Sequence, residues 1–159
     1  SVSAEDVSGY YLLHKGDFAY NRSSSVGYPY GAIKRLDESA RGVLSTLYLC
    51  MQLKDQKNSW SDFFVYFFES GILNIELQCV CQEGARSHGL LNITKADFFN
   101  LNLACPDFEK QKEIANVLDV CKKETQLLNT LLEKYKEHKR GLMQKLLIGE
   151  WRVKTGIYE

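Results

Sequence analysis

What this sequence lacks narrows its reading. No apolar run approaches the ~18 residues needed to span a bilayer. The longest, Phe63 to Phe68, is six residues between Asp62 and Glu69. No signal-peptide pattern opens the chain, and it starts on Ser1 rather than Met, so its natural start is expected to lie upstream. A disulfide framework is also missing. The five cysteines are odd in number and irregularly spaced. Cys79 and Cys81 stand too close for the usual zinc pair, and no nearby His or Cys completes a metal site. They are expected to be reduced thiols packed as small apolar residues in a cytoplasmic protein. Charge of one sign is absent too: 20 basic residues balance 20 acidic ones. A DNA-binding chain usually carries a basic footprint. DNA contact here therefore requires basic groups gathered on one face, or phosphate contacts from other subunits.

Catalytic motifs are wanting as well. The three histidines, His14, His88 and His138, sit in no motif that makes a base or a ligand. No phosphate-cradling glycine loop occurs, and paired carboxylates or metal-ligand clusters are not evident. The expectation is no catalytic residue, no metal site and no cofactor. A nuclease or other enzyme is the weakest of the readings.

What is present is 45% apolar and 25% charged residues in 159, the profile of one globular domain with an appendage. Residues 1–105 read as a compact mixed domain. Tyr10 to His14 and Phe18 to Asn21 are short strands around the turn Lys15-Gly16-Asp17. Arg22 to Gly31 is a loop. Ala32-Ile33 and Gly42 to Leu53 give further strand-like stretches. Ser61 to Gly71 reads as a helix despite its β-favouring residues: Ser61 is placed to cap it, Gly71 to end it, and Phe63/Phe67 and Phe64/Phe68 fall on one face. Residues 72–82 suit a strand (Leu73, Ile75, Leu77, Cys79, Cys81) or a helix (Leu73, Leu77, Val80). Thr94 and Asp97 resemble a capping box, and Leu101 to Ala104 is a last short strand.

The period changes after Pro106. Asp107 is a good N-cap. Ile114, Leu118, Cys121, Thr125, Leu128, Leu132, Tyr135, Lys139, Leu142 and Leu146 recur at alternating steps of four and three, a heptad seam. The spacing predicts a helix over about 108–147 within a segment 106–149, followed by a tail, 150–159. Val117, Val120, Leu127 and Leu131 widen the apolar face beyond a two-stranded seam. Such a stripe needs a partner. Thr125 and Lys139 interrupt it. Local solvent exposure is favoured over register setting as the reason. The fold class is α+β, a mixed domain followed by one long coiled-coil-forming helix.

Pro106 to Ala115 (Pro-Asp-Phe-Glu-Lys-Gln-Lys-Glu-Ile-Ala), with Leu118, and Lys139 to Gly149 (Lys-Arg-Gly-Leu-Met-Gln-Lys-Leu-Leu-Ile-Gly), with Arg152, carry a resemblance. They resemble the opening and closing signatures of the conserved helix in specificity subunits of type I restriction-modification enzymes. Lys110 stands where that family usually has Glu, and Glu113 where Lys is frequent. Lys15 to Arg22, Gly27 to Arg35 and Glu83 to Ile93 are similar to one variety of the family's target-recognition domain. The resemblance implies a recognition domain truncated at its N-terminus. It also implies a non-catalytic subunit that reads one half of a split double-stranded DNA target. Modification subunits dock on its helix, and the helix pairs antiparallel with a second recognition half or a copy of itself. S-adenosylmethionine, ATP and magnesium then belong to partner subunits.

Two loops are the candidate DNA readers. In the first, Arg22 offers a guanidinium for guanine or phosphate, Ser23 and Ser24 offer hydroxyls, and Tyr28 lies close in sequence. Arg86, Ser87 and His88 form the second. The alternative for both arginines is pairing with acidic neighbours to hold the fold. The Lys34-Arg35 pair suits phosphate contact or, more simply, a solvated turn opposite Asp37-Glu38; Lys34 is kept among the DNA contacts. The helix interface is expected at Ile114, Leu118, Cys121, Leu128, Leu132, Tyr135, Leu142 and Leu146. A competing reading is a stand-alone interaction module that masks or regulates a partner enzyme without reading DNA.

Overall fold

The computed structural model describes residues 7–83, 89–154 and 156. The chain divides into two compact units, Ser1–Ala115 and Asn116–Glu159.

The first unit is built on short strands. β1 (Tyr11–His14) and β2 (Phe18–Asn21) flank a turn in which Gly16 takes a φ of 96°. There the Asp17 carboxylate accepts the His14 amide at 2.7 Å. β3 (Ala32–Arg35), β4 (Arg41–Leu44) and β5 (Leu49–Met51) follow. β1 pairs antiparallel with β4, whereas β2 lies between β3 and β5. The strand-like stretch Gly42–Leu53 is thus two strands in two sheets, separated by a turn closed from the Tyr48 amide to the Ser45 carbonyl. Alternation along β2 buries Phe18 and Tyr20. Ile33, Leu49 and the aromatic side chains of the helices complete the core around them.

α1 (Ser61–Glu69) buries Phe63, Phe64 and Phe67. Its start differs from the sequence reading. Trp60 is the N-cap and no side chain caps the helix. Ser61 instead accepts a bond from Arg35 Nη1 at 2.7 Å, and the Trp60 amide is taken by Gln111 Oε1 at 2.9 Å. Its end is as expected, with Gly71 at a φ of 75° just past Ser70. The ambiguous stretch resolves as α2 (Asn74–Val80), with Leu73 and Leu77 buried and Ile75 exposed. Short strands β6 (Gln82–Glu83) and β7 (Leu91–Asn92) pair antiparallel. α3 (Lys95–Phe99) opens on the expected cap, Thr94 Oγ1 accepting the Asp97 amide at 3.1 Å.

Leu101–Ala104 forms no strand. The Leu101 amide closes back on Phe98 and its side chain packs on the core, so the segment follows the last turn of α3 instead of extending into a ladder. The thiols also differ from expectation. All five are free, but Cys79, Cys105 and Cys121 are exposed and only Cys50 and Cys81 are half-buried.

α4 (Phe108–Leu147) is one helix of 40 residues, about 60 Å long at ~1.5 Å per residue. Asp107 caps it, accepting the Lys110 amide at 2.9 Å. Its first two turns belong to the first unit, where Gln111 and Ala115 are buried. Gln111 satisfies its whole amide group there: Nε2 donates to Asn58 (3.3 Å) and Pro106 (2.8 Å) carbonyls while Oε1 holds Trp60. From Asn116 to Arg140 every side chain but Asp119 is exposed.

Candidate nucleic-acid interface

The first candidate loop leaves β2 at Arg22, and its backbone does not run free. The Leu91 amide donates to the Arg22 carbonyl (2.8 Å), and the Ser24 amide donates to Gly89 (2.7 Å). Ser23 lies antiparallel to Leu90 between them. These bonds stitch the first loop to the segment that directly follows the second. Arg86, Ser87 and His88 themselves lie outside the described residues. What the sequence presents as two loops more than sixty positions apart is, along Arg22–Ser24 and Gly89–Leu91, one paired strip.

Arg22 is half-buried and braces this strip from below. Its Nε donates to the Leu47 carbonyl (2.9 Å) and Nη1 to the Ile93 carbonyl (3.2 Å). The structural partner is therefore backbone carbonyl, not the acidic neighbour that the alternative reading envisaged. Ser23 is half-buried and Ser24 exposed. Beyond them Ser25 and Tyr28 exchange both backbone bonds around Gly27, whose φ is 84°. Val26 stands fully exposed at the tip.

Tyr28 and Lys34 form a second cluster, at the other end of the loop. Both bond the carboxylate of Glu69, at the end of α1, and Lys34 Nζ also reaches the Tyr28 hydroxyl at 2.8 Å. Burial works against the Lys34 charge, but the bonds to Glu69 and Tyr28 outweigh it and hold its pKa above the ordinary lysine value. Lys34 is thus a firmly charged but locally neutralised cation. Its neighbour Arg35 is no solvated turn residue. It ion-pairs with Asp37 (2.6 Å) and Asp62 (2.8 Å), tying β3 to the first turn of α1.

Sequence reasoning missed Glu69, the Arg35 bridge and Gln111. Local signals do not mark Glu69 or the reach of Arg35 to α1, because Tyr28 and Lys34 lie 41 and 35 positions from Glu69 and Arg35 lies 26 from Ser61; only its pair with Asp37 is local. Gln111 had such a signal, a polar residue on the apolar side of the first helical turns.

Beneath the loop, Tyr20 is fully buried, and its hydroxyl donates to the Tyr30 carbonyl at 2.7 Å. Burial, reinforced by Cys81, pushes its pKa well above the usual phenol range. Among the described residues no group of three His, Cys, Asp or Glu is arranged to hold a metal ion. No single described helix is long and apolar enough to cross a membrane.

In the helix, seven of the eight expected interface residues (Ile114, Leu118, Cys121, Leu128, Leu132, Tyr135 and Leu146) are exposed and Leu142 is half-buried. The stripe they form is uncovered in the single chain.

Structurally the chain falls in the class of α+β domains that continue into one long helix with an uncovered apolar stripe. Within that class the chain belongs to the type I restriction modification DNA specificity domain family, whose family model matches residues 2–137. No curated protein and no solved structure matches it. The match takes in the paired loop strip and runs along α4 past Tyr135.

Proposed function

We propose that this chain is the non-catalytic recognition part of a type I restriction-modification complex. It reads one half of a split double-stranded DNA target, and α4 carries it into the complex. The observation that supports this best is the family match, which covers the loop strip and most of the helix in a single span. The reading surface centres on Ser23, Ser24 and the Arg86-Ser87-His88 segment. Arg22 braces it and supplies a guanidinium at its base. Tyr28 and Lys34 serve phosphate at the edge, as positioning contacts without base discrimination. The helix face Ile114–Leu146 packs against modification subunits and against a second recognition half or a copy of this chain, in antiparallel sense. S-adenosylmethionine, ATP and magnesium are held by those partner subunits, and the complex works in the cytoplasm.

The test is selection of duplexes from a randomised library by the chain reconstituted with modification subunits and a second half. Recovery of a two-part motif, with one part lost on Arg86→Ala, is the expected result. Uniform binding of all sequences, with affinity set by salt alone, would refute base reading.

A further inference from the structure

The heptad seam of α4 reads the same from either end. About Thr130 as centre, Ile114 mirrors Leu146, Leu118 mirrors Leu142, Cys121 mirrors Lys139, Thr125 mirrors Tyr135, and Leu128 mirrors Leu132. In an antiparallel pair each core layer joins residues at mirrored positions of this kind. Resting on the self-association proposed above, we infer that two copies of α4 pair antiparallel in one register, centred on Thr130, with Cys121 of each copy facing Lys139 of the other.

The two polar interruptions select this register. Here Lys139 meets the small Cys121, which leaves room for its stem, and Thr125 meets Tyr135. The Thr125 hydroxyl already donates to the Cys121 carbonyl of its own helix at 2.9 Å, so it faces the phenol as an acceptor. The remaining three kinds of layer join Leu or Ile to Leu. A shift of one heptad either way breaks the match. One direction sets Leu128 against Lys139 and Thr125 against Leu142; the other sets Ile114 against Lys139 and Thr125 against Leu128. Polar groups then lie against aliphatic ones with no compensating bond. A parallel pair in register sets Lys139 against Lys139, a like-charge layer.

The flanks agree in part. Glu124 of one copy lies on the same flank as His138 of the other, and Leu131 meets its own counterpart. On the opposite flank Lys122 faces Lys136, whose ammonium is held by Glu133 of its own helix at 2.7 Å. Lys139 and Thr125 are exposed in the single chain, so the pairing requires no change of fold. Thr125 and Lys139 act as register residues, not as accidents of solvent exposure.

The test uses the full chain with the exposed Cys79 and Cys105 replaced by Ser and Cys121 kept. Light scattering under reduction first gives the mass. Oxidised glutathione is then applied to this background and to its Lys139→Cys, Leu132→Cys and Leu146→Cys versions. The expected result is a reducible shift to twice the 18.2 kDa chain mass for Lys139→Cys. The background should give none, because its Cys121 thiols would stand about 27 Å apart at ~1.5 Å per residue. A cysteine-to-lysine crosslinker on the background, with Lys139 intact, should join Cys121 to Lys139 in peptide mass spectra. Strongest coupling of Cys121 to the new thiol of Leu132→Cys or Leu146→Cys, read from the disulfide-linked peptides, or of Cys121 to its own counterpart, overturns the register but leaves association standing. So does a dimer that couples in none of them. A monomer throughout, with the helix still folded, overturns the association itself.

Discussion

At Gly31 the backbone takes a φ of 83°, and an added Cβ would run into the Asn21 carbonyl oxygen and stand 2.7 Å from the Tyr20 ring. The obstacle is backbone on one side and a fully buried ring on the other, so neither yields cheaply. Gly31→Ala is expected to cost about 2–3 kcal/mol or more, read as a lower urea midpoint at unchanged m-value. Gly27→Ala, at a similar φ but with open space around it, should cost only about 1 kcal/mol. Equal effects at the two sites would argue against the close approach. Arg22 makes a separate prediction. Its two carbonyl bonds are charge-assisted but only half-buried, so Arg22→Ala should destabilise by about 1–2 kcal/mol, and Arg22→Lys should recover only part of that because ammonium lacks the guanidinium fork. An unchanged midpoint in both would show that the guanidinium is free for DNA and does not brace the fold.

The elements that were legible in the sequence are those whose signals are local. α4 was readable to its end residues because Asp107 caps it, its apolar period persists for ten seam positions, and Gly149 at a φ of 79° ends it. Thr94 capping α3 was equally plain. Ser61 was misread because its hydroxyl is claimed by Arg35, 26 positions earlier, and no local pattern announces that. Leu101–Ala104 was misread because an apolar tetrapeptide looks alike as a strand or as a tail packed on a core. At the site the Arg22–Gly31 loop was recognisable by composition, yet its pairing was not, since Ser24 and Gly89 meet only after the intervening strands and helices have folded. One prediction belongs to this scale. Leu128→Asp with Leu132→Asp should abolish self-association while leaving the first unit folded, since each buried Leu contributes roughly 1.5–3 kcal/mol. Light scattering together with the urea transition of the first unit separates the two effects.

Taken whole, the molecule carries no net charge, and two neighbouring cations beside the first loop, Lys34 and Arg35, already have carboxylate partners. Isolated chain is therefore expected to bind duplex DNA weakly. Its salt dependence should be shallow, because each phosphate contact adds only ~0.9 to the logarithmic slope. A slope steeper than about −6 would mean a broad basic field that this charge arrangement does not supply. The purified chain should neither cleave nor methylate DNA, with or without magnesium and S-adenosylmethionine. Activity that co-purifies and disappears on His88→Ala would contradict the non-catalytic reading. The backbone bonds from Ser24 to Gly89 and from Leu91 to Arg22 bear on how such a surface can be changed. A chimera that imports 22–24 from one relative and 89–91 from another would set two unmatched edges side by side. On the DNA-reading role proposed above, new specificities should therefore be inherited, or engineered, by exchanging both stretches together as one cassette.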